Sequence, residues 1–79
     1  MKPTELESTT LAKVAYDADR AVLQLEFRDR AVYQYFGVPA EVHEALLCAS
    51  SKGGYFNRVI RGRFAYVRAS DDRSVSYLS

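Results

Sequence analysis

Between residues 11 and 36 the chain alternates apolar and polar side chains in three short runs, the period-two pattern of strands that turn one face to a core. In residues 11–16, Ala12, Val14 and Tyr16 stand against Leu11, Lys13 and Ala15. In residues 21–27, Leu23, Leu25 and Phe27 stand against Val22, Gln24 and Glu26. In residues 31–36, Tyr33 and Tyr35 share one face, and Val32, Gln34 and Phe36 share the other. Asp17-Ala18-Asp19-Arg20 separates the first two runs with turn chemistry built on Asp. Asp29-Arg30 separates the second and third, without the glycine such turns usually carry. The pattern predicts a three-stranded antiparallel meander.

After Gly37 the period changes. Pro39 suits the first position of a helix, where its missing N–H costs nothing. Val42, Ala45, Leu46 and Ala49 then form one stripe, with Glu41, Glu44 and Cys48 on the other side. Ser50-Ser51 separates this helix from a second. Ser51 is a good N-cap and Gly62 a good C-terminal stop. At about 100° per residue, Tyr55, Phe56, Val59 and Ile60 fall in one arc of roughly 140°. Asn57, Arg58 and Arg61 fall opposite. Gly53 and Gly54 are poor helix formers, so their presence points to close approach of another backbone or a ligand. Lys52 beside a helix start suits an anion, and ordinary capping accounts for the same residues. Arg63-Phe64-Ala65-Tyr66-Val67-Arg68 fits either a last strand at the sheet edge or an extended tail.

The expected fold is therefore α+β: the three-stranded β-meander followed by a helical hairpin packed on one face, with a short C-terminal strand as an option. Leu25, Phe27, Phe36, Val42, Leu46, Phe56, Val59 and Ile60 are its expected core. Residues 1–9 read as a flexible leader, 10–68 as a single domain, and 69–79 as a polar tail in which Tyr77 and Leu78 are candidates to dock.

Composition narrows the function. With 79 residues there is room for one domain, and 48% apolar with 27% charged side chains is ordinary for a globular one. No apolar run approaches the ~20 residues that cross a bilayer. The N-terminus, Met-Lys-Pro-Thr-Glu-Leu-Glu, has no signal-peptide apolar region, and a cytoplasmic protein is expected. A lone cysteine, Cys48, excludes an internal disulfide. The net charge of +1 divides unevenly: residues 1–50 sum to −3 and residues 51–79 to +4. Such a division suits an anionic partner for the second half, or self-association through opposite patches.

No catalytic constellation emerges. His43 and Cys48, five apart on one helix, point about 140° from each other. One His and one Cys cannot supply the three or more ligands of a metal site, and no cofactor is implied. The basic and aromatic side chains carry more. Lys52, Arg58, Arg61, Arg63 and Arg68 interleave with Tyr55, Phe56, Phe64 and Tyr66. Arginine binds phosphate and stacks on bases, and aromatics on a small sheet stack on unpaired bases. Tyr33 and Tyr35 are either such a platform or core residues covered by the helices.

The motifs Val14-Ala15-Tyr16-Asp17, Leu25-Glu26-Phe27, Val32-Tyr33-Gln34-Tyr35-Phe36-Gly37-Val38-Pro39 and Ala49-Ser50-Ser51-Lys52-Gly53-Gly54-Tyr55-Phe56-Asn57-Arg58-Val59-Ile60-Arg61-Gly62 together resemble the KTSC domain family. Its members occur at the C-terminus of some lysyl-tRNA synthetases and as small free-standing bacterial proteins. The likeness spans roughly residues 11–68. It departs at Asp29-Arg30-Ala31, where such domains often place a glycine. The resemblance implies no established activity. RNA binding, suggested for the family, would fall on Tyr33, Tyr35, Lys52, Tyr55, Asn57 and Arg58.

The expected function is thus a non-catalytic RNA-binding module, tRNA being one candidate. Its contacts would be Tyr33, Tyr35, Lys52, Gly53, Tyr55, Asn57, Arg58, Arg61 and Arg63. The alternative is a protein-interaction adaptor, monomeric or weakly dimeric, with no nucleic-acid role.

Overall fold

The computed structural model describes residues 3–69. The expected polar tail lies, from residue 70 onward, outside the described residues, as do Tyr77 and Leu78.

The alternating runs form strands β2 (Leu11–Asp17), β3 (Val22–Phe27) and β4 (Val32–Phe36) of one antiparallel sheet. Two more strands extend it. β1 (Thr4–Glu5) pairs with β2, and β5 (Tyr66–Arg68) pairs with β4, so among the described residues the sheet has five strands in sequential order rather than three. The stretch expected as loose leader is partly built in. Leu6 is 6% exposed and belongs to the core cluster. Arg28 fastens the segment, its Nε donating to Ser8 O at 2.9 Å and its Nη2 to Leu6 O at 2.8 Å. Two polar-looking strand residues carry no alternation to read, so β1 was hidden.

Register places Val14 opposite Leu25, Leu25 opposite Tyr33, Leu23 opposite Tyr35, and Tyr35 opposite Tyr66. All of these share the face on which the helices lie, because directly paired residues point the same way. The other face carries Val22, Gln24, Val32, Gln34 and Phe36, with Gln34 Nε2 donating to Gln24 Oε1 at 2.9 Å. Phe36, expected in the core, is therefore 39% exposed. The covered side of β4 is the tyrosine side, and strand alternation then sends Phe36 out. Of the other expected core residues, Leu25, Leu46, Phe56 and Ile60 are buried, and Phe27, Val42 and Val59 are partly buried against them.

Helix α1 (Ala40–Cys48) starts one residue after Pro39, which takes the N-cap place with an extended ψ of 155°. It buries Leu46, and His43 stacks on Tyr16 with ring centroids 4.8 Å apart. The Tyr16 hydroxyl donates to Val38 O at 2.6 Å, tying β2 to the strand-to-helix link beside the fully buried Val38. The second helix is not uniform. Its first turn is α-helical (α2, Lys52–Tyr55) and then widens into a π-helix over Phe56–Ile60, closed by Arg61 N donating to Phe56 O at 2.8 Å. It ends at Gly62 in left-handed backbone, φ 77°.

Candidate functional site: an aromatic cleft beside the second helix

Three strands and the π-helical turn bring five aromatic rings into one group. Tyr33 and Tyr35 stand two apart on β4. Pairing with β5 sets Tyr66 across from Tyr35 and Arg68 across from Tyr33. Tyr66 then lies 5.4 Å from Tyr35 and 5.6 Å from Tyr33, centroid to centroid. From the core side Phe56 meets Tyr35 at 5.8 Å and Phe27 at 5.2 Å, both edge-on, and Phe27 meets Tyr33 edge-on at 5.7 Å. Such edge-to-face and tilted geometries are those that aromatic quadrupoles favour.

The rings enclose a cleft of about 530 Å³. Its size falls within the range of small-ligand sites, roughly 300–1,000 Å³. The buried Tyr35 and Phe56 form its floor, Phe27 and Tyr33 are half-buried above them, and Tyr66 is exposed on its outer wall. Asn57 and Arg61 line it from the helix, and Thr10 and Asp29 from the loops. Exposure grades across the set: Tyr35 is 5% exposed and Tyr66 57%. Arg61 Nη1 donates to Asn57 Oδ1 at 3.4 Å, holding the two helix residues side by side. The Arg68 guanidinium lies over the Tyr33 ring, 5.8 Å from its centroid.

The Tyr35 hydroxyl is pushed up to about 12, by burial first and then by its neighbours Tyr33 and Tyr66, with Arg61 pulling the other way. At neutral pH it is a protonated phenol that can donate or accept, and not an anion that would repel phosphate.

Of the residues expected to bind nucleic acid, the fold gathers Tyr33, Tyr35, Asn57 and Arg61 at this cleft. Lys52 and Gly53 line a different, polar hollow of about 630 Å³ between the segment before β2 and the junction of the helices, which Asn57 also borders. There the Lys52 ammonium donates to Ala49 O at 2.9 Å, across the end of α1. Ser51 Oγ accepts from Gly54 N at 3.2 Å, which is ordinary capping. Gly53 is glycine because the helix abuts Thr10: a Cβ there would stand 2.7 Å from Thr10 Oγ1. Tyr55 is half-buried against the core. Arg58 and Arg63 are exposed, Arg58 with its Nη1 close over Gly54.

Tyr66, Phe27, Asp29 and Thr10 were not among the expected contacts. Tyr66 had a signal, the alternation Phe64, Tyr66, Arg68, which acquires meaning only once β5 is paired with β4. Among the described residues no three His, Cys, Asp or Glu side chains gather closely enough to hold a metal ion, and no helix is long and apolar enough to cross a membrane.

Comparison with known proteins adds to this geometry. Residues 7–64 match the family model described as the KTSC domain. An uncharacterised protein of Stutzerimonas stutzeri is 43% identical over 61 residues, which are 77% of this chain and 86% of that one. A lysine–tRNA ligase of Trichormus variabilis is 39% identical over 64 residues, 81% of this chain and 11% of the ligase. The crystal structure of a KTSC domain protein from Yersinia pestis superposes with a TM-score of 0.80 at 35% identity, covering 82% of this chain and 92% of that one.

Proposed function

The chain belongs to the KTSC domain family, and on that footing we propose that it is a small non-catalytic module that binds unpaired RNA, one base entering the aromatic cleft. The observation that carries this reading is the cleft itself, with an exposed tyrosine on its outer wall and a guanidinium at its rim. Every base has a π-face, so aromatic stacking tolerates any sequence, and arginine supplies the phosphate contact. Tyr66 and Tyr33 are the stacking residues in this reading, and the buried Tyr35 is the floor beneath them. Arg61, with Arg58 and Arg63 exposed on the same helix and the turn after it, would hold phosphates. Lys52, bonded to Ala49 O, is a secondary contact. That a lysine–tRNA ligase carries a stretch similar to this chain agrees with a partner of this kind.

Titration of ¹⁵N-labelled protein with short single-stranded RNA and with tRNA tests it. Amide shifts are expected at Tyr33, Asn57, Arg61 and Tyr66, with affinity that falls as salt rises because counterions are released. Tyr66→Ala, an exposed truncation, should weaken binding about tenfold, within the ~1–3 kcal/mol that base stacking contributes. No shifts at low salt, or binding indifferent to Tyr66→Ala, would remove the reading.

A protein-interaction adaptor is the second reading. It draws on the open face of the sheet, where the exposed Phe36 pairs with the half-buried Val22. Phe36→Ser would abolish partner binding under that reading and leave RNA binding intact under the first.

A further inference from the structure

The cleft has two chemically different ends. Thr10, Asp29 and Ala31 line it beside the β3–β4 turn, and Arg61 and Gly62 line it where the second helix stops. Among the described residues, Asp29 and Arg61 are the charged side chains of its lining. The run of β4 separates them: Asp29 precedes the strand that begins at Val32, whereas Arg61 acts electrostatically on Tyr35, near the strand's far end. A nucleotide has a matching polarity. Its phosphate is drawn to the guanidinium and repelled by the carboxylate, so the base edge is left to face Asp29.

An ionised carboxylate only accepts hydrogen bonds. It is satisfied by an exocyclic amino group such as N4–H₂ of cytosine. Uracil offers there the lone pairs of O4, and its single N3–H lies between two carbonyls. Asp29 Oδ1 accepts from Ala31 N at 3.0 Å within the turn, which fixes the carboxylate at this end of the cleft. Asn57 does not discriminate. Its Oδ1 accepts from Arg61, which leaves the amide N–H₂ to donate to the O2 carbonyl that cytosine and uracil share.

We propose that the cleft selects unpaired bases that carry an exocyclic amino group, cytosine over uracil among pyrimidines, and that Asp29 is the residue that makes the distinction. The inference rests on the reading of the cleft as a base site.

The test is fluorescence anisotropy with end-labelled pentacytidylate and pentauridylate at neutral pH and low salt, on the unaltered protein and on Asp29→Asn. Asparagine keeps a side-chain oxygen for the turn bond to Ala31, and a thermal melt verifies that the fold is retained. The unaltered protein should favour the cytidine oligomer about fivefold, a modest share of what a hydrogen bond to a charged group contributes, because Asp29 is exposed. In Asp29→Asn the ratio should fall toward one, since the amide also donates to O4. Equal affinities in the unaltered protein, or a preference that survives in the variant, would overturn the selectivity and leave the base site standing. Failure of both oligomers to bind would remove both.

Discussion

Arg30 sits at φ 76°, in left-handed backbone that costs an ordinary L-residue roughly 1–2 kcal/mol. The turn imposes it. Phe27 N donates to Ala31 O at 2.8 Å and Arg30 N to Phe27 O at 2.9 Å, a closure that needs a positive φ before β4 can begin. Asp29, which accepts from Ala31 N, makes the rest of the turn favourable. Arg30→Gly removes the steric cost and adds some unfolded-state entropy, so a net gain of about 0.5 kcal/mol is expected. It reads out as a higher urea midpoint at unchanged slope. A lower midpoint would mean that the Arg30 side chain contributes more than its backbone costs. Ala21, at φ 55°, closes the preceding turn at a similar cost.

Among elements, β1 is the one whose weight the sequence conceals. Two paired residues contribute little by themselves, but they deliver Leu6 into the core. Leu6→Ala should cost about 2–3 kcal/mol, as for other buried leucines. A change under 0.5 kcal/mol would show that the segment detaches freely. The three central strands were legible from their alternation, which β3 and β4 keep, whereas in β2 a register shift between Leu11 and Lys13 leaves Leu11, Val14 and Ala15 all buried, against the single buried face read there. The two helices were legible because their stripes, the Ser51 cap and the Gly62 stop agree. What was not legible is long-range in origin. Alternation reveals that β4 has two faces without saying which one the helices cover, so Phe36 was assigned inward. The π-helical widening at Phe56–Ile60 leaves no periodic mark in five residues. The cleft was half visible: the aromatic and basic residues were apparent, whereas the contribution of Tyr66 and Asp29 depends on a strand pairing and a turn that bring distant residues together.

For the molecule as a whole, the buried phenol of Tyr35 couples the site to stability. Its folded value of about 12 lies above the unfolded value of 10.0, so the folded chain holds this proton longer. Stability from this group is fully present below pH 10 and is lost as pH rises through 12, in total about 1–2 kcal/mol, less than the full shift would give because the cleft admits water to the hydroxyl. Tyr35→Phe should therefore show a shallower loss of melting temperature between pH 10 and 12 than the unaltered protein. Parallel curves would place the phenol in water-like surroundings.

One consequence follows from where Tyr66 is mounted. β5 is three residues long and, among the described residues, lies at the margin of the sheet, held to β4 by its own ladder and by the flanking bonds Phe36 N to Ala65 O and Ala69 N to Val32 O. Short marginal strands open at low free-energy cost, well below global unfolding. When this one lifts, Tyr66 leaves the cleft with it, while Tyr33 on β4 and the residues of the second helix stay in place. Apparent affinity for anything seated there is then the intrinsic affinity scaled by the fraction of time the strand is docked. A guest wedged against Tyr66 would in turn hold the strand down, so that occupancy and local order rise together.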